Sequence, residues 1–178
     1  MHPSAIPDAL AALAALMRGE PVDAASIAAV VAGFRDLVER HAQAGDLAAQ
    51  CEASAWLATA LRMEAALAPA PERQAAYERA HAAAGAARDH AIEVATTLGV
   101  NDANMAAYVR ATDEAARAAL VIGEGDPSDR GADLLQEAAG HFGEAAAGYR
   151  RLHRDEDAAR AEIQALEARA KRARRSLS

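Results

Sequence analysis

Residues 149–170, YRRLHRDEDAARAEIQALEARA, contain the joint that decides the fold of this chain. One helical pattern ends near Leu152, the charged corner HRDED follows at 153–157, and a second pattern begins on small alanines. Alanine has the highest helix propensity because it loses no side-chain entropy in a helix. An aspartate before a helix accepts hydrogen bonds from the N–H groups of its first turn. The stretch therefore predicts a corner between two packed helices.

Similar corners divide the rest of the sequence. Pro21, Pro71 and Pro127 each follow a break in the apolar pattern, and softer corners occur at 44–46 and 98–102. Proline suits the first turn of a helix, where its missing N–H has no partner. The corners predict an all-α fold of about seven antiparallel helices, with a lead helix before three hairpins that recur roughly every 50–56 residues. The predicted helices span 5–18, 22–43, 46–67, 71–98, 102–122, 127–153 and 156–175.

Apolar residues at three- and four-residue steps mark the faces that we expect in the core. One stripe follows 22–43 and another follows 127–153. The first consists of Ile27, Val30, Val31, Phe34, Leu37, Val38 and His41, and the second of Leu134, Leu135, Ala138, Phe142, Ala145, Tyr149 and Leu152. In 46–67 apolar residues occupy more than one face, which predicts a helix sandwiched between neighbours or buried in a self-association interface. Cys51 lies on the Leu47 stripe of that helix and is predicted to be a small core residue.

Composition and charge narrow the class of protein. Alanine makes up about 30% of the 178 residues and aromatics only 3%, so an aliphatic core is expected. The net charge of -7 argues against a general nucleic-acid binder. Arginine stands in place of lysine almost throughout, which is typical of a GC-rich, bacterial genome. One cysteine allows no intrachain disulfide, and neither a signal peptide nor a membrane span is recognisable, so the cytoplasm is expected.

The sequence around this joint resembles the tetratricopeptide (TPR) pattern. Phe142, Ala146 and Tyr149 supply a large aromatic residue, a small residue four positions later and an aromatic residue three positions after that. Ala158 then opens the next helix, and Ala165 follows seven positions on. Small residues in this pattern mark the points where two helices touch, while the aromatic side chains fill the space beside them.

A partial second match runs through Phe34, Leu37, His41, Gly45 and Asp46, with histidine where the family usually has tyrosine. The motif is degenerate, since its spacing here is about 55 residues against about 34 in a standard TPR, and the helices are longer. The proline that ends the pattern is also missing after residue 165. The resemblance implies TPR-like hairpins in a right-handed array or bundle, and a protein-interaction scaffold without catalysis.

A metal site is the first alternative. Glu78 and His81 have the Glu-x-x-His spacing that ferritin-like di-iron bundles use on two of their helices. A second copy of the motif is missing, since Glu137 and His141 are four positions apart rather than three. We therefore predict no cofactor and no catalytic residues, and keep Glu78 and His81 as the metal candidates of an alternative helical-bundle metal protein or enzyme.

Two groups of residues are candidates for partner binding. The three tyrosines, two in the second predicted hairpin and one in the third, offer contact area with a polar tip, although packing between helices is the competing interpretation. The second group is basic and follows residue 168, where it would suit an acidic partner, nucleic acid or the helix dipole. The candidates are Tyr77, Tyr108 and Tyr149, with Arg169, Lys171, Arg172, Arg174 and Arg175.

The sequence therefore favours a non-enzymatic interaction module: an adaptor, chaperone-like or regulatory subunit that binds another protein or a peptide. We predict one TPR-like domain over 1–168 and a basic C-terminal tail over 169–178. Self-association into a homo-oligomer is a further expectation, because alanine-rich faces leave apolar surface to cover. The second alternative is a nucleic-acid-associated regulator that uses the basic tail.

Overall fold

Six α-helices follow one another in a computed structural model that describes residues 11, 13–15, 18 and 23–175. They are α1 (Ala24–Ala44), α2 (Leu47–Leu67), α3 (Ala70–Leu98), α4 (Asp102–Gly125), α5 (Asp129–Arg151) and α6 (Asp155–Arg175). The described part of the chain contains no strand, and the predicted all-α fold is confirmed. Of the predicted lead helix, residues 11 and 13–15 are helical, residue 18 lies in a turn, and the rest lies outside the described residues.

Local hydrogen bonds fix where the helices begin. Asp46 caps α2 as predicted, because its Oδ1 accepts a hydrogen bond from the Ala49 N–H at 3.1 Å. At the next soft corner the cap is Asn101 rather than the aspartate that follows it. Asn101 and Asn104 form a capping box, in which each side-chain oxygen accepts from the backbone N–H of the other residue. Connections of two or three residues between helices make consecutive helices antiparallel.

The helices form an open array of two layers. Each helix packs against the next in the chain, and α2 also packs against α4, which in turn touches α6. We call α2, α4 and α6 the inner layer, because helices two positions apart make contact on that side. The first and last of these six described helices, α1 and α6, do not share an extensive contact, so the six form an open array. The surface of the inner layer is where side chains from three helices meet.

Alanines and a few large residues build the core, as the apolar stripes predict. Phe142 is fully buried in one core cluster with Ala165, and Ala146, Tyr149 and Ala158 are buried in another. The first stripe is also confirmed, since Ile27, Val30, Val31, Phe34 and Leu37 are buried together with Leu13. Cys51 is 1% exposed and packs as a small core residue. Helix α2 lies between α1, α3 and α4, which explains its apolar residues on several faces.

One close contact sets the distance between α4 and α5. Gly148 is buried on α5, and a Cβ atom added to it would overlap the Cγ2 methyl group of Val109 on α4. Gly143, on the same helix, is exposed, and a Cβ there would meet nothing within 4 Å. The missing side chain at 148 therefore lets the two helices approach where the inner layer packs on α5.

Candidate functional site

A cleft of about 260 Å³ lies on the inner layer and extends to the corner between α5 and α6. We call it the charged cleft, because among the described residues five arginines and three carboxylates line it. Its lining residues are Thr59, Arg62, Met63, Arg110, Asp113, Glu114, Arg117, Tyr149, Arg154, Asp157 and Arg160. The cleft thus carries more positive than negative charge on a chain whose net charge is -7.

Arg110 of α4 is held in this cleft by stacking. Its guanidinium lies over the ring of Trp56 on α2, with Cζ 3.3 Å from the ring centroid. A cation over an indole face is attracted by the ring quadrupole, an interaction worth on the order of 1–2 kcal/mol when partly desolvated. No described residue forms a hydrogen bond or an ion pair with Arg110. Burial lowers the pKa of Arg110 below its ordinary value, because the charged form is partly removed from water.

The other arginines of the cleft have carboxylate partners. Arg62 donates through Nε to Glu114, whose side chain is 8% exposed. Burial alone would lower the pKa of Arg62, but the charge of Glu114 and its hydrogen bond raise it. Arg154 and Arg160 both bind Asp157, at 2.7 Å and 3.0 Å. Arg110 therefore differs from the other arginines of the charged cleft, because its N–H groups donate no hydrogen bond to a described residue.

Asp113 is the buried acid of the cleft. Its Oδ2 accepts hydrogen bonds from Arg117 at 3.1 Å and from the Tyr149 hydroxyl at 3.2 Å. Its Oδ1 is buried and has no hydrogen-bond partner among the described residues. Burial raises the pKa of Asp113, although the guanidinium of Arg117 opposes the shift. Burial and the nearby Asp113 charge likewise raise the pKa of Tyr149.

The structure separates the three candidate tyrosines. Tyr149 lines the charged cleft, and the guanidinium of Arg154 lies 4.9 Å from its ring centroid. Tyr77 is 8% exposed and packs inside the core formed by α3, α4, α5 and α6. Tyr108 is half-buried, donates its hydroxyl hydrogen to Glu144 and borders a separate apolar pocket of about 270 Å³ between α3 and α4. Of the three, Tyr149 is the one that reaches the cleft.

The two metal candidates have different partners. Glu78 is exposed and pairs with Arg130 at 3.0 Å. Nε2 of His81 instead lies 2.9 Å from Oε1 of Glu137 on α5. Nε2 of His141, also on α5, lies 3.4 Å from the same oxygen. Hydrogen bonds from His141 and His81 hold the pKa of Glu137 well below its usual range. Among the described residues, no group of three or more His, Cys, Asp or Glu side chains is arranged to hold a metal ion.

The basic residues near the C-terminus lie on the last two turns of α6. Lys171 forms ion pairs with Glu124 of α4 and with Glu167. Arg175 donates hydrogen bonds to the carbonyl oxygens of Gly123, Glu124 and Asp126 at the end of α4. Cations satisfy the unpaired carbonyl groups of a helix end, so these two residues help to dock α6 on α4. Arg169, Arg172 and Arg174 are exposed.

Sequence reasoning did not identify Arg110 or Trp56 as site residues. They are 54 positions apart in the sequence and meet because α2 and α4 pack side by side in the inner layer. One signal was available: Arg110 interrupts an otherwise small and apolar run on α4, and Trp56 is the chain's single tryptophan. A tryptophan on an alanine-rich helix needs a large neighbouring side chain to cover its ring, and only the packing of the helices shows that this neighbour is Arg110.

Comparison with protein-family models, with curated proteins and with solved structures gives no significant match to this chain. Within the described residues, no helix combines the length and the hydropathy that crossing a bilayer requires.

Proposed function

We propose that this chain is a non-enzymatic protein-interaction module of TPR-like type, which holds an acidic segment of a partner protein in the charged cleft. The observation that supports this most is the guanidinium of Arg110, which stacks on Trp56 and forms no hydrogen bond or ion pair with a carboxylate of the described residues, although Glu114 and Glu52 act on it at longer range. Arginine presents a planar set of N–H donors that matches a carboxylate in two parallel hydrogen bonds. A carboxylate from outside the chain would restore the interactions that Arg110 loses by burial.

Two clefts next to the stacked pair support an extended segment rather than a compact ligand: Arg110 lines the charged cleft, and Trp56 lines the other. Trp56 borders a second cleft of about 180 Å³, which Phe34, Leu37 and His41 also line, between α1 and α2. A segment that crosses Trp56 would place an acidic side chain beside Arg110 and an apolar side chain in this second cleft. The TPR-like resemblance of residues 142–165 supports the same kind of function, since hairpin arrays present extended surfaces to partner chains.

Selection from a library of displayed random peptides tests this proposal without knowledge of the natural partner. Peptides that bind the wild-type protein should be enriched in aspartate and glutamate next to an apolar residue. The same peptides should bind Arg110→Gln at least about tenfold more weakly, a difference equal to one charge-assisted hydrogen bond. Arg35→Gln, an equal change of charge at an exposed position of α1, is the matched control. Selected peptides without acidic residues, or equal binding to Arg110→Gln, would overturn the proposal.

A further inference from the structure

The outward face of α6 carries an apolar stripe that no described part of the chain covers. Ile163 is 65% exposed and Leu166 is 62% exposed, although both are large aliphatic residues. Three exposed alanines extend the stripe at alternating steps of three and four residues, namely Ala159, Ala170 and Ala173. The opposite side of α6 already packs on α4 and α5 through Ala158, Ala161, Ala165 and Ala168. A three-four spacing of apolar residues is the seam of a two-helix coiled coil.

Charged residues flank the stripe in a pattern that specifies its partner. Arg160 and Glu167 lie along one edge, and Glu162 and Arg169 lie along the other. In an antiparallel pair of identical helices, residues of the same edge face each other. With Ile163 packed on Leu166 of a second copy, Glu162 faces Arg169 of that copy and Arg160 faces its Glu167. Twofold symmetry repeats both pairs, so these four contacts all join opposite charges.

In a parallel pair of α6 helices, residues of like charge would face each other along the same stripe. It would bring Glu162 beside Glu167 of the second copy, and Arg169 beside Arg174 of that copy. Like charges at these positions oppose association, so the sequence of α6 discriminates between the two orientations. From these charges and the exposed stripe we propose that α6 pairs antiparallel with α6 of a second copy to form a twofold dimer.

The flanking residues already form ion pairs within the chain, and these pairs are exposed enough to be replaced by pairs with a second copy. Glu162 pairs with Arg150, Glu167 with Lys171 and Arg160 with Asp157, but the two glutamates are about half exposed and Arg160 is 61% exposed. Exposed ion pairs contribute only about 0–1 kcal/mol, so sharing or exchanging them costs little. The stripe is about 22 Å long at 1.5 Å per residue, and an interface of this size is small. A dimer with a dissociation constant on the order of micromolar is therefore expected.

Sedimentation velocity over a range of protein concentrations tests the dimer. The wild-type chain should change from monomer to dimer as its concentration rises through the micromolar range. Leu166→Asp, at an exposed position, should raise the dissociation constant at least about tenfold without changing the circular dichroism spectrum. A chain that stays monomeric, or a dimer that is unaffected by Leu166→Asp, would overturn the proposal. If the chain stays monomeric, a helix of another protein would be the alternative partner for the stripe.

Charge reversal tests the orientation. Glu162→Arg alone should weaken the antiparallel dimer several-fold, because the introduced arginine would face Arg169 of the second copy, and adding Arg169→Glu should restore the affinity. A parallel dimer would respond oppositely to Glu162→Arg, since the new arginine would face Glu167, so tighter association would contradict the proposal. Glu93→Arg on α3, an equal change of charge away from the stripe, is the matched control and should leave the dissociation constant unchanged.

Discussion

Arg110 and Trp56 form a stacked pair in which the guanidinium carbon lies 3.3 Å from the indole centroid. The pair joins α4 to α2 and fixes the orientation of the guanidinium before any ligand arrives. The indole ring covers one face of the Arg110 guanidinium, while the guanidinium N–H groups form no hydrogen bond or ion pair with the described residues. Because the guanidinium is already held in place, it loses little conformational entropy when it binds a carboxylate. This preorganisation is the basis of the function proposed above.

The buried ion pair of Arg62 and Glu114 should be sensitive to the loss of one partner. Glu114→Ala leaves the Arg62 guanidinium, 22% exposed, without its carboxylate. Removing one partner of a buried pair costs about 3–5 kcal/mol, and the partial exposure of Arg62 reduces the expected loss to about 2–4 kcal/mol. Urea unfolding measures this change in the free energy of unfolding.

A double variant separates loss of the pair from the cost of leaving one charge unpaired. Arg62→Met combined with Glu114→Met replaces both charges by apolar side chains and leaves neither member of the pair as an unpaired charge. The free energy of unfolding should recover to within about 1 kcal/mol of the wild-type value. A double variant as unstable as Glu114→Ala would show that the pair itself, rather than an unpaired charge, is what stability depends on.

The contact between Gly148 and Val109 predicts opposite effects at two glycines of α5. Alanine is the better helix former, so Gly143→Ala at its open position should raise the free energy of unfolding by about 0.5–1 kcal/mol. Gly148→Ala should lower it by about 1–2 kcal/mol, because the new methyl group must displace the stiff side chain of Val109. Thermal or urea unfolding of the two variants checks both signs, and equal gains would mean that α4 and α5 are farther apart.

The buried carboxyl of Asp113 predicts a pH dependence of stability. Its pKa is raised by burial, so the folded state binds its proton more tightly than the unfolded state does. The contribution of Asp113 to stability therefore falls as the pH rises from the unfolded pKa of about 3.9 through the higher folded pKa. Asp113→Asn lacks this titration and keeps the Tyr149 hydrogen bond. Its free energy of unfolding relative to wild type should increase with pH across that window and stay level above it.

Asp133→Asn, at an exposed position of α5, controls for the loss of one negative charge. Unfolding in urea at several pH values compares the two variants with the wild-type chain. A relative stability of Asp113→Asn that decreases as the pH rises would mean that Arg117 outweighs burial, and the sign of the pKa shift would be wrong.

The helices could be predicted from the sequence because local features specify them. Asp46 and Pro127 lie at corners, Pro71 lies in the first turn of α3, and the stripe from Ile27 to Leu37 has the period of a helix. These helix boundaries therefore needed no tertiary information. The site could not be predicted in the same way. Arg110 resembles any surface arginine of an alanine-rich helix until the packing of α2 on α4 brings Trp56 beneath it. Tyr149, which the sequence offered both as a partner-binding candidate and as part of an apolar stripe, lines the cleft, where Asp113 on the neighbouring helix accepts a hydrogen bond from its hydroxyl.

Titration of the intrinsic fluorescence of Trp56 tests the central claim most directly, because this is the chain's single tryptophan and it stacks on Arg110. An oligoglutamate peptide is the probe, an oligolysine peptide of equal length is its control, and Arg35→Gln is the control variant. We predict a saturable change in emission with oligoglutamate alone, an affinity that falls as salt is added, and no saturable change in Arg110→Gln. An unchanged emission in the wild-type protein, or the same response in Arg110→Gln, would contradict the account.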